Sequence, residues 1–144
     1  MHCFSAWAQS ALAAFCLAWL ASGTAVAQDP NASAAQAAAH DWLALVERGD
    51  AQASWSAAGQ KFQAAMPVSG WADALEKMRT PLGAVKYRTI VKTDFRKSFP
   101  GAPEGDYALI IYTTSYENKA VGSETLTLEH EPDGMWRVVG YSIR

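Results

Sequence analysis

The chain has 144 residues, of which 12 are basic and 14 acidic, and a formal net charge of −2. So slight a charge creates no field that would gather nucleic acid, and that class of partner is excluded. Half of the residues are hydrophobic and only two are cysteines, the composition of a globular chain stabilised by its own core rather than by disulfides.

The chain opens with a short apolar run, Ala11 to Leu20, too short to span a bilayer comfortably. Small residues follow, ending in Ala25-Val26-Ala27, an A-x-A cleavage pattern. Residues 1–27 therefore read as a secretory signal peptide, although no Lys or Arg precedes the apolar run. The rival reading is a membrane anchor, and the cleavage pattern argues against a stable one. A lipoprotein is disfavoured because Cys16 follows Phe15 instead of a small residue. Cys3 and Cys16 both lie in this leader, so the protein expected after cleavage begins at Gln28 and contains no thiol. The expected location is periplasmic or secreted, in keeping with the alanine-rich composition. Asn31-Ala32-Ser33 fits a glycosylation acceptor, a match without meaning in bacterial export.

A short lead-in, 28–34, precedes a single domain expected over 35–144, close to the commonest domain size. Three helical stretches come first. Ala35, Ala38, Ala39, Trp42, Leu43 and Val46 recur at helical spacing, Gly49 ends the helix, and Asp50 is placed to cap the next. The second stretch puts Trp55, Ala58, Phe62 and Met66 on one face, with Gly59 as a weak point and Pro67 as the stop. Ser69 is the candidate cap of the third, which carries Trp71, Ala74, Leu75 and Met78. After Gly83 the period changes to two: Val85, Tyr87, Thr89 and Val91 alternate with Lys86, Arg88, Ile90 and Lys92. The basic excess from Lys86 to Lys97 reads either as a face for an anionic partner or as the lysine and arginine that protect an edge strand. A proline- and glycine-rich loop, Phe99 to Asp106, leads to strands at Tyr107 to Glu117 and Ser123 to Glu131. Pro132-Asp133-Gly134 is a hairpin turn into a last strand. Helices followed by an antiparallel meander predict an α+β fold, three N-terminal helices packed on a curved four-stranded antiparallel sheet.

The segments "RTPLGAVKYR", "FPGAPEGDY" and "ETLTLEHEPDGMWRVVGYSIR" resemble the bacterial family called domain of unknown function 4019. The resemblance runs from about Ala35 to Arg144, and it departs at "PVSG" before Trp71, where the threonine and glutamate of the family's helix start are missing. The family brings no established activity and so assigns no catalytic residue. Its element order is similar to the cystatin-like cones of nuclear transport factor 2 and ketosteroid isomerase, a likeness of fold that implies no function by itself.

A three-residue turn pairs Glu131 with Met135. Counting back from it sets His130 against Trp136, Leu128 against Val138, Leu126 against Gly140 and Glu124 against Ser142 on the face that meets the helices. The other face pairs Glu129 with Arg137, as a salt pair, and Thr125 with Tyr141. Gly140 then either bends the sheet or leaves room beside Leu126 for a ligand, with Ser142 and Tyr112 as further lining. Glu124 is the weak candidate for a catalytic base, provided that burial raises its pKa; the alternative is a structural pair with Arg79, Arg88 or Arg144. No metal spacing, nucleophile elbow or cofactor motif occurs, so neither metal nor cofactor is expected. Three functions follow: non-catalytic binding of a small apolar ligand or a partner protein, a lyase or isomerase working through Glu124, or a module that homodimerises through an outer sheet face carrying Ile90, Val139, Tyr141 and Ile143.

Overall fold

The computed structural model describes residues 29–144. The expected leader and its cleavage site lie outside the described residues. Among the described residues four helices precede four strands: α1 (Pro30–Glu47), α2 (Ala51–Ala57), α3 (Gln60–Ala65), α4 (Val68–Arg79), β1 (Val85–Arg96), β2 (Tyr107–Tyr116), β3 (Gly122–His130) and β4 (Trp136–Ile143). The strands form one antiparallel sheet in the order β1-β2-β3-β4, so the expected α+β meander is present, with one helix more than expected.

Local chemistry explains the helix limits. Asp29 caps α1 by accepting from the Asn31 amide at 2.9 Å, so the helix takes in most of the expected lead-in. Its buried face is Ala35, Ala39, Trp42, Leu43 and Val46, as the periodicity predicts. Asp50 caps α2 through the Ala53 amide at 3.0 Å. The expected second helix is broken in two at Gly59. The Gly59 amide leaves the helical pattern and donates to the Val138 carbonyl of β4 at 2.8 Å. A Cβ there would stand 2.9 Å from Val139 Cγ1, so the chain approaches β4 more closely than a larger residue permits. Helix α4 starts from Pro67 without a side-chain cap, and Ser69 does not serve as one.

The helices bury one aromatic group against the sheet. Trp42 lies 6.0 Å from Phe62, 5.7 Å from Trp71 and 5.3 Å from Tyr141, measured between ring centroids. Ser54 ties two of these rings together: its carbonyl accepts from Trp42 Nε1 at 2.8 Å, and its hydroxyl accepts from Trp71 Nε1 at 2.9 Å. Both indole donors are thereby satisfied inside the core.

The last hairpin follows the expected register as far as Leu128 opposite Val138 and then departs from it. A bulge at Val139 puts two residues of β4 opposite one of β3. Beyond it Gly140 faces Thr127, Tyr141 faces Leu126, Ser142 faces Thr125 and Ile143 faces Glu124. The one-residue slip exchanges the faces of everything after it. Tyr141, expected outside, is brought into the aromatic group, while Gly140 is turned away from Leu126. The expected salt pair across the strands does not form either. Glu129 binds Lys61 of α3, and Arg137 binds Glu131 and Asp133.

β1 is an edge strand, as its lysines and arginines suggest, but irregularities near Lys86 and Val91 reset its faces. Val85, Arg88 and Ile90 oppose the core-facing residues Tyr116, Thr114 and Tyr112, whereas Tyr87 and Thr89 oppose Ser115 and Thr113. Tyr87, expected among the apolar alternation, is 61% exposed, and Arg88 points inward.

Candidate functional site

Glu124 is the centre of a buried polar cluster between the sheet and the ends of α1 and α4. β3 carries it on the core face between Tyr112 of β2 and Ile143 of β4, with no exposed surface. Each neighbouring element contributes a donor. Arg88 Nε of β1 and Thr114 Oγ1 of β2, the latter at 2.8 Å, donate to Glu124 Oε2. Tyr141 Oη of β4 donates to Oε1 at 2.8 Å. At the end of α4, Arg79 Nη1 stands 3.6 Å from Oε1 and donates to Tyr141 Oη at 3.3 Å. Arg88 Nη1 donates in turn to Glu47 at the end of α1. The cluster thus pins the last turns of α1 and α4 to three strands.

The electrostatics follow from this geometry. Burial alone would raise the Glu124 carboxyl, but the hydrogen bond and charge of Arg88, with the hydroxyls of Thr114 and Tyr141, hold it below its ordinary value of 4.5. Burial raises the Tyr141 phenol well above its usual range, and the Glu124 carboxylate raises it further. Burial likewise pushes Tyr112 up to about 12, against the opposing pull of Arg88. Arg88 is held charged by Glu124 and Glu47 in spite of its own desolvation. The arrangement therefore contains an ionised carboxylate with both oxygens engaged and a phenol fixed as a donor. A general base needs a raised pKa and a vacant oxygen within reach of substrate, and Glu124 has neither.

Two of the three arginines foreseen as partners, Arg79 and Arg88, are in the cluster. Arg144 is elsewhere, its backbone paired with that of Ser123. Sequence reasoning missed Tyr141, which the bulge brings in, and Glu47 and Thr114, which carry no distinguishing signal. The foreseen ligand-lining set does not assemble. Leu126 is wholly buried in the core, and Tyr112 lies behind Arg88, with the guanidinium 5.8 Å from its ring centre. Gly140 and Ser142 face Thr127 and Thr125 on the other side of the sheet. No space opens between Gly140 and Leu126. A Cβ at Gly140 would meet Thr127 at 3.5 Å, an ordinary contact. Gly140→Ala is accordingly expected to be neutral or to stabilise by about 0.4–1 kcal/mol, by restricting the unfolded chain. Urea unfolding measures this, and a loss greater than about 1 kcal/mol would restore Gly140 to a crowded inner face.

A cleft adjoins Arg79. It has a volume of about 750 Å³ and runs between the end of α1, the outer turns of α4 and the 80–85 connection. Val46, Ala72, Leu75 and Val85 supply apolar wall, and Glu47, Glu76 and Arg79 supply charge. At the turn end of the last hairpin His130 stacks on Trp136, ring centres 4.8 Å apart. Among the described residues no group of three or more His, Cys, Asp or Glu side chains is placed to hold a metal ion, and no helix is long and apolar enough to cross a membrane.

A family model described as "Protein of unknown function (DUF4019)" matches residues 38–141. The chain belongs to this family. No curated protein and no solved structure matches it. The matched span of the DUF4019 domain includes Glu47, Arg79, Arg88, Thr114, Glu124 and Tyr141, so the whole cluster and the floor of the cleft fall within it.

Proposed function

We propose that the chain is an exported, non-catalytic binding domain that takes a small molecule in the cleft between α1, α4 and the 80–85 connection. The observation that carries this reading is the cleft, a concavity of about 750 Å³ with mostly apolar walls and Arg79 at its floor. That volume lies within the range of small-molecule sites, roughly 300–1,000 Å³, and a few fixed polar groups among apolar walls are what such sites use for orientation. Glu124 supports the reading from behind. It holds Arg79 and Arg88 in place and gives the domain a preorganised guanidinium without offering a base. Export rests on the apolar run and A-x-A pattern of the leader, and the periplasmic or secreted form would begin at Gln28.

A thermal-shift screen with small metabolites and lipids tests the binding. A true ligand at a hundredfold excess over its Kd is expected to add about 2.7 kcal/mol of stability. Ala72→Trp, which fills the cleft from α4, should abolish the shift. A shift that survives this change would put the binding site elsewhere. Intact mass of the exported protein tests the other half of the proposal, and a product retaining Cys3 or Cys16 would refute processing after Ala27.

A further inference from the structure

The charges in the cleft that remain unengaged point to the class of its ligand, on the reading that the cleft is a binding site. Glu47 is engaged by Arg88. Arg79 uses Nη1 for Tyr141 and Glu124, and its Nε and Nη2 make no hydrogen bond among the described residues. Its side chain is only 11% exposed, so a pair formed on that edge is partly shielded from water. Glu76, one helical turn earlier on α4, also lines the cleft, and its carboxylate has no hydrogen bond or ion pair among the described residues. Residues three apart on a helix are neighbours, about 5–6 Å between Cβ atoms. The cleft therefore presents one vacant guanidinium edge and one vacant carboxylate side by side, next to the partly exposed apolar side chains of Ala72 and Val85.

We infer that the ligand is a zwitterion of the α-amino acid class with an apolar side chain. Its carboxylate pairs with Arg79, its ammonium pairs with Glu76, and its side chain lies against Ala72 and Val85. A simple anion would satisfy Arg79 but bring like charge close to Glu76 and Glu47. A simple cation would satisfy Glu76 at the expense of Arg79. A zwitterion meets both groups and adds no net charge to a site already lined by Glu47, Glu76 and Arg79.

The test uses leucine and its two halves: 4-methylpentanoate, which lacks the ammonium, and 3-methylbutylamine, which lacks the carboxylate. Each is titrated into the ¹⁵N-labelled protein. Leucine is expected to move the amides of Gly49, Gly83 and Ala84 around the cleft, and each half should bind about tenfold more weakly or worse, the worth of one charge-assisted hydrogen bond. Glu76→Gln should weaken leucine by a similar factor and leave 4-methylpentanoate unaffected or tighter. If either half binds at these amides as tightly as leucine, the zwitterion is wrong and the cleft stands. If leucine moves amides around Trp136 instead, both the ligand class and the cleft are wrong. If neither leucine nor any of the other standard amino acids moves an amide, the ligand class is overturned, and the metabolite screen with Ala72→Trp decides the cleft separately.

Discussion

Glu124→Ala is expected to destabilise the domain by about 3–5 kcal/mol, the range for removing one partner from a buried ion pair. The loss does not measure the attraction between the charges. It arises because Arg88 and Arg79, with side chains only 15% and 11% exposed, are left without their shared carboxylate in a site that water enters poorly. Thr114 and Tyr141 lose their acceptor at the same time. Unfolding in urea with an unchanged m-value would report this as a loss of stability rather than a change in the denatured state. A companion variant separates the two causes. Glu124→Leu combined with Arg88→Met removes carboxylate and guanidinium together and should recover much of the loss, because an apolar replacement of a whole buried pair is often close to neutral. A single-variant loss below about 1 kcal/mol, the scale of an exposed ion pair, would show that the cluster is wetter and looser than its geometry indicates.

Trp42→Ala is expected to be equally severe, about 3–5 kcal/mol, as for other large aromatic residues removed from a packed core. Trp42 touches all three other rings of the aromatic group, and its indole N–H is the donor to the Ser54 carbonyl. The substitution opens a cavity between α1, α3, α4 and β4 and removes one of the two hydrogen bonds on the Ser54 carbonyl, which keeps the Ala58 amide as a donor. Trp136→Ala is the control, since Trp136 is half-buried near the hairpin turn against His130 and Phe95. Its loss should be clearly smaller. Equal losses at the two positions would mean that the aromatic group around Trp42 does not form the centre of the core.

The sequence carries the helical faces openly because their spacing is local. Ala35, Ala39, Trp42, Leu43 and Val46 repeat at the helical period and are buried together. The hairpin turn is equally local: Glu131 and Met135 pair across Gly134, whose φ of 85° suits glycine. What fails is what depends on distant partners. The break at Gly59 exists because its amide bonds to Val138, in the last strand of the chain. The bulge at Val139 has no sequence signature that alternation detects, and one added residue moves Tyr141 inward and Gly140 outward. The same slip removes Tyr141 and Ile143 from the expected outer apolar face, since they oppose Leu126 and Glu124, the irregularity of β1 removes Ile90, which opposes Tyr112, and Val139 alone of that set is left. Glu124 was legible as a buried acid because the extra residue lies in β4, so the alternation of β3 from Glu124 through Leu126 to Leu128 is unbroken. Its arginine partners were legible as candidates by charge alone, whereas the tyrosine that completes its shell was misplaced with the register.

The central claim is that Glu124 is an ionised structural carboxylate and not a base. Its folded pKa lies below the ordinary value of 4.5, so the stability it contributes is fully present above that value and is lost as the pH falls through the folded pKa. The side-chain carboxyl can be followed directly by ¹³C NMR during an acid titration, with Glu124→Gln to assign the signal. The account predicts a midpoint below 4.5 for this one carboxyl, and a wild-type stability that falls in acid more steeply than that of Glu124→Gln. A midpoint above 4.5 would mean that burial outweighs Arg88, Thr114 and Tyr141, and would return Glu124 to the role of a general base.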